Sequence, residues 1–253
     1  MKHFIQIIFY SCPILFITSC AAPSFLPQTH NVPLFTEKNQ LRVNSTVSIK
    51  TFDFQVAYSP IKHLGIITNL QLCSHYTMAE IGVGAFQSYG ERLVTELYLG
   101  YGNGYLKTDY QKKSNILAYD YDYYNIDINA NKYFFQPNIG INFNEKINLS
   151  LSTKFTYWDY SHYNFYHEQW IYDSGSYFMK GTDSLYSNRN CSATTLEPAL
   201  TFRVGGEHTK FMLQTGFCSI LNSGGTEFYP YGKTYTFIRL GVCVNFDLFE
   251  KKE

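Results

Sequence analysis

Past residue 20 the sequence has no apolar run long enough to cross a bilayer as a helix, which takes about 20 residues. Helical periodicity is nearly missing from the same region. Charge is scarce: Asp, Glu, Lys and Arg make up 16% of the 253 residues, against roughly 25% in ordinary soluble domains. The 20 basic and 20 acidic residues cancel, so no basic excess points to a nucleic-acid partner. There is no CxxC and no metal-ligand spacing, so neither a metal nor a cofactor is expected. No serine sits in GxSxG. His63 falls in a short turn, His162 and His167 in a long segment, and His208 at a strand start. That scatter lacks the cluster catalysis requires. The sequence therefore assigns no catalytic residue, and an uncharacterised membrane hydrolase is the weaker alternative to a non-enzyme.

Aromatic residues are plentiful, with 23 Tyr and 21 Phe. They belong to a period-two alternation that dominates after residue 40. In "YTFIRLGVCVNF" (235–246), Thr236, Ile238, Leu240, Val242, Val244 and Phe246 share one face. Ten such segments fall near 41–50, 52–59, 64–74, 77–87, 93–103, 133–143, 147–158, 194–204, 209–219 and 235–246. Most have about 8–12 residues, close to the ~9–11 of a tilted membrane strand. An even strand count is the rule for bacterial single-chain barrels of the outer membrane.

The two faces differ in kind. One is aliphatic in the middle (Leu97, Leu99, Ile139, Leu151, Leu200, Leu240, Val242) and aromatic at both ends. Tyr101, Tyr133, Tyr157 and Phe217 mark one rim; Tyr58, Phe143, Phe202, Phe211 and Phe246 mark the other. Two aromatic girdles around an aliphatic band suit a lipid-facing exterior. The second face carries glycines, serines and amides such as Gln55, Asn69, Gln71, Gln136, Asn138 and Gln214, which suit a narrow, filled lumen. Its charges are Arg42, Asp53, Glu80, Glu96, Lys154, Glu197, Arg203, Lys210 and Arg239. Four acids and five bases are what a paired, buried network requires. The competing architecture is a soluble, lipid-tethered periplasmic barrel that turns its apolar face inward around an apolar ligand. A narrow pore is the third option.

The expected fold is all-β: a closed antiparallel up-and-down transmembrane β-barrel of about ten strands. Short turns at 60–63, 88–92, 144–146 and 205–208 oppose two tight hairpins and three longer extracellular loops, at 104–132, 159–193 and 220–234. That asymmetry places the short turns, and with them both termini, on the periplasmic side. Asp120, Asp122 and Asp127 do not form a calcium loop, because Tyr124 and the missing glycine break the pattern. The alternating Tyr119–Tyr123 run reads better as a strand continuing past the membrane. Tyr- and Asn-rich loops of this kind also offer a surface to a glycan or protein partner.

The chain starts with Lys2 and His3, an apolar core from Phe4 to Ile17, and "ITSC" at 17–20. This is a signal peptide, and its end resembles the lipobox of bacterial lipoproteins. The resemblance implies cleavage before Cys20 and diacylation (palmitate-type) of its thiol, with Ala21 favouring the outer membrane. Residues 21–40, with Pro23, Pro27 and Pro33, read as a tether. The expected organisation is a signal at 1–19, a lipid-anchored tether at 20–40, a barrel at 41–246 and a polar tail at 247–253. The mature part, about 230 residues, suffices for one large domain. Of the cysteines beyond the signal, Cys73, Cys191, Cys218 and Cys243, the Cys191–Cys218 pair is the conceivable disulfide; isolated buried thiols are preferred.

Three stretches, "NVPLFTEKNQLRV", "FDFQVAYSPIKHLGI" and "YFFQPNIGINF", resemble a group of small outer-membrane β-barrel lipoproteins of Bacteroidetes-type bacteria. The resemblance implies a location and a fold but no reaction. Outer-membrane lipid and the outer-membrane assembly machinery would be its partners. One departure is the C-terminus, where "DLFEKKE" follows Phe246 instead of a terminal aromatic.

Overall fold

The computed structural model of the chain describes residues 27–90, 92–113, 121–173, 176–224 and 234–247. Its ten strands are β1 (Gln40–Val47), β2 (Thr51–Ile61), β3 (Leu64–Cys73), β4 (Tyr76–Tyr89), β5 (Leu93–Lys113), β6 (Tyr121–Asn144), β7 (Ile147–Asp173), β8 (Ser176–Gly205), β9 (Thr209–Gly224) and β10 (Thr234–Asp247). Each pairs antiparallel with its neighbour, and β10 pairs with β1 to close the barrel. Closure removes the free edges of the sheet over the span that all ten strands share. Aliphatic side chains align across the ladders: Ile139 faces Leu151, and Leu151 faces Leu200. Leu240 lies beside Leu213 in the same way.

The expected barrel is therefore present, with its strands where the alternation puts them. Their lengths differ from expectation on one side. β5 to β8 have 21, 24, 27 and 30 residues, two to three times what crossing a bilayer takes. Most of the segments expected as loops at 104–132 and 159–193 are continuous strand. The turns at the other end are short, as expected.

The segment at 27–35 departs further from expectation. It is a buried run inside the barrel, with Gln28, Thr29, His30 and Phe35 between 0% and 1% exposed. The chain leaves the short-turn end at Gln40, where β1 meets Asp247 of β10. It passes Glu96, whose Oε1 accepts from the Phe35 amide at 3.0 Å. It reaches Pro27 at the level of the β1–β2 hairpin, where Arg239 Nη2 donates to the Pro27 carbonyl and Nη1 to Ser48 Oγ at 2.8 Å. Nine extended residues cover about 30 Å, the thickness of a hydrocarbon core. The stretch from 27 to 35 is thus a lumen filling rather than a tether. Asp247 lies at the short-turn end, but Pro27 lies at the opposite end. Cys20 and the rest of 1–26 fall outside the described residues.

Candidate functional site

An extended segment that pairs with no strand must still satisfy its amides and carbonyls, because an unpaired buried backbone group is costly. The lumen-facing amides of the wall do this. Gln55 Nε2 and Asn69 Nδ2 donate to the Thr29 carbonyl at 2.6 and 3.1 Å. Gln71 Nε2 donates to the Pro27 carbonyl at 3.3 Å, and Gln136 Nε2 to that of Asn31 at 2.8 Å. Gln214 does both jobs at His30: it accepts from the His30 amide at 2.8 Å and donates to its carbonyl at 3.1 Å.

The remaining strands complete the ring. Thr46 of β1 meets Thr29, with the two Oγ1 atoms 2.8 Å apart. The Met78 carbonyl of β4 accepts from Gln28 Nε2. His30 Nδ1 lies 2.8 Å from Ser152 Oγ of β7, and its Nε2 lies 4.0 Å from Glu197 Oε2 of β8. With Glu96 of β5 and Arg239 of β10, segment 27–35 touches all ten strands of the closed ring. Only a position on the barrel axis permits that.

The charges expected in the lumen are there. Asp53, Glu80, Glu96, Lys154, Glu197, Arg203, Lys210 and Arg239 are buried, and Arg42 is half-buried at the short-turn mouth. The structure brings some of them together. Glu80 binds two cations, Lys154 at 3.1 Å and Lys132 more closely. Arg239 pairs with Asp53 at 3.2 Å, not with Glu80, Glu96 or Glu197. Glu96 is held by Asn138 Nδ2 at 3.0 Å as well as by the Phe35 amide. Glu197 accepts from Thr195 Oγ1 at 2.9 Å.

Sequence reasoning misses Lys132, which is 1% exposed and binds Gln28 Oε1 at 2.6 Å. It sits one residue before the strand expected at 133–143, so the alternation leaves it in a loop. His30 and Gln28 are missed because their segment reads as a tether.

Apolar layers lie on both sides of the Glu80–Lys132–Lys154 group. Phe35 packs with Ile67, Phe86, Tyr98 and Phe134 toward the short-turn end. Tyr76, Met78, Leu106, Ile126, Ile128 and Trp158 form a cluster toward the long hairpins. Lumen glycines make these contacts possible. A Cβ at Gly100 would collide with the Phe134 ring, and one at Gly140 with Leu34 of the inner segment.

The exterior is apolar. Leu97, Leu99, Ile139, Leu151, Leu200, Leu240 and Val242 point outward and are exposed. So are the aromatics of the two rims, Tyr101, Tyr133, Tyr157 and Phe217 on one and Phe143, Phe202, Phe211 and Phe246 on the other. Tyr58 is half-buried. A soluble barrel rarely shows contiguous apolar area beyond a few hundred Å². The inward-facing apolar arrangement of a soluble carrier is not what the wall presents at this level.

Cys73, Cys218 and Cys243 are free, the latter two buried; a bridge from Cys218 to Cys191 is not formed. Among the described residues no group of His, Cys, Asp and Glu is arranged to hold a metal ion. His162, His167 and Asp120 lie where side chains are outside the described set, and His63 is a turn residue with φ 68°.

No family model matches the chain, and no curated protein does. Solved structures do. The KdgM porin in complex with disordered oligogalacturonate matches at 8% identity and a TM-score of 0.38, covering 82% of this chain and 99% of its own. The translocator domain of the autotransporter NalP from Neisseria meningitidis matches at 9% identity and a TM-score of 0.37, covering 81% and 86%.

Proposed function

We propose that the chain is an outer-membrane β-barrel whose lumen is closed by its own N-terminal segment, with a structural or surface-binding role and no catalytic activity. The observation that carries this reading is the course of residues 27–35 along the barrel axis, hydrogen-bonded to the wall all round. Phe35 of the segment joins one apolar layer toward the short turns, and a second apolar layer lies toward the long hairpins; both oppose passage of bulk solute. The exposed aliphatic band supports lipid as the surrounding medium. The overlong β5–β8 wall stands clear of that band on one side, where a glycan or protein would meet it.

Solute leak from liposomes tests the reading. The full chain, shown to be inserted by a mobility difference between boiled and unboiled samples, should leave a trapped sugar inside. Steady leak through the full chain would overturn it. A narrow pore is the second reading, favoured by one observation: residues 27–35 are held by hydrogen bonds and not by strand pairing, so withdrawal breaks no ladder.

We further propose that Cys20 carries the lipid anchor, as its spacing from the apolar core suggests. Cys20 is seven residues from Pro27, a reach of about 25 Å. Incorporation of labelled fatty acid should be lost in Cys20→Ala; equal labelling of the variant would sink the assignment.

A further inference from the structure

At the short-turn end the barrel opens into a cavity of about 660 Å³. Its floor is Pro33 and Leu34 of the inner segment. Its walls carry Arg42, Arg92, Lys146, Arg203 and Lys210 against two glutamates, Glu145 and Glu207. In a chain of zero net charge, that is a local positive excess. It is also built, not merely exposed. Arg203 is 3% exposed and Lys210 is 6% exposed. Lys210 Nζ donates to Asn148 Oδ1 at 2.7 Å, which uses one of its three donors.

Arg203 is the unusual member. Its Nε and Nη2 are enclosed and have no hydrogen-bond partner among the described residues, where it also makes no ion pair. Of the acids deeper in the lumen, Glu80 is committed to two lysines and Asp53 to Arg239. Glu96 lies within electrostatic reach of Arg203, but its oxygens are taken by Asn138 Nδ2 and the Phe35 amide and it makes no direct ion pair with the guanidinium. A buried guanidinium without a direct ion pair and with two unbonded nitrogens is costly, and an anion in the cavity beside it lowers that cost.

We propose that the short-turn mouth binds a small phosphate-bearing anion, with Arg203 at its base and Lys210 beside it. A guanidinium presents a planar fork of donors that matches the oxygens of phosphate, and an ammonium adds a point charge. The volume lies within the roughly 300–1,000 Å³ of small-molecule sites, so a phosphate ester fits better than the bare ion. The ester arrives either as a free solute or as the headgroup of a membrane lipid.

Calorimetry on the full chain in neutral detergent micelles separates these sources. Glycerol phosphate is the soluble probe, and lysophosphatidic acid in the micelle presents the same headgroup on a lipid. Saturable binding of the first identifies a solute site; binding of the second alone identifies a lipid headgroup site. In either case Arg203→Gln should weaken affinity at least tenfold. Lys62→Gln, a charge loss on the exposed turn after β2, should leave it unchanged. If Arg203→Gln fails to show the folded mobility, Lys210→Gln takes its place, with a severalfold loss expected. No saturable binding of either probe, or equal affinity in the folded variant and the parent, would overturn the proposal.

Discussion

Arg239 and Leu240 are neighbours in β10, yet Arg239 is 2% exposed and Leu240 is 58% exposed. The period of two sends them to opposite sides of the wall, and the two sides impose opposite demands. Leu240→Arg puts a cation against lipid, at a cost of about 2–4 kcal/mol near the midplane. Arg239→Leu leaves Asp53 buried without its partner, which typically costs about 3–5 kcal/mol. The two losses differ in whether they can be repaired. Adding Asp53→Asn to Arg239→Leu should restore much of the stability, because the orphaned charge is gone. No change in the lumen should rescue Leu240→Arg. Heat-modifiable mobility in detergent measures both; rescue of Leu240→Arg by Asp53→Asn, or no rescue of Arg239→Leu, would contradict the assignment of faces. At this scale the sequence is highly legible. Alternation alone puts the expected charges into the lumen, all buried but Arg42 at the mouth. It cannot say which acid meets which base, since partners such as Asp53 and Arg239 lie far apart in the chain and meet only through closure.

Strands are legible in number and in their short-turn ends, but not in their length on the other side. The physical reason is a change in the sense of the alternation. Within the band, most apolar side chains point out and most polar ones in, the Phe35 layer being the main exception. Beyond it, Leu106, Ile126, Ile128 and Ala130 point inward and are buried, while Asn103 and Lys107 take the outer face. A search for an apolar outer face therefore stops where the membrane stops, though the hydrogen-bond ladder of β5 and β6 continues to Lys113 and Tyr121. A tag inserted at the end of this projecting ladder, after Lys113, should be reached by antibody on intact cells, and one in the short turn at Glu145 should not. Exposure of the Glu145 tag with protection of the Lys113 tag would invert the orientation. The segment at 27–35 is illegible for a different reason. It has no period because it belongs to no sheet, and prolines and amides are what a solvated linker also contains. The signal that bears on it lies elsewhere, in the excess of Gln and Asn on the lumen face. Those amides suit a filled lumen; that the filling comes from the chain's own N-terminal side is visible only in the structure.

The whole molecule is a wall and an axis that depend on each other. Inward amides such as Gln55, Asn69, Gln136 and Gln214 find their hydrogen bonds on residues 29–31. The backbone of the segment in turn is satisfied by those amides and by the carboxylates of Asp53 and Glu96. A barrel closing around a preplaced segment buries both sets of polar groups at once, and an empty barrel would have to hydrate them. The claim that the N-terminal segment runs inside the barrel is tested most directly by a disulfide between axis and wall. The side-chain oxygens of Thr29 and Thr46 lie 2.8 Å apart, and cysteines at such sites approach the Cβ separation of about 3.5–4.5 Å that a disulfide needs. In a chain with Cys73, Cys191, Cys218 and Cys243 changed to serine, Thr29→Cys with Thr46→Cys should form that bond when native membranes are oxidised. Mass spectrometry would identify the linked peptides. Before oxidation, the thiol introduced by Thr29→Cys should resist a bulky membrane-impermeant maleimide. Failure to cross-link, together with full modification of that thiol in the folded protein, would place the segment outside the barrel and contradict the account.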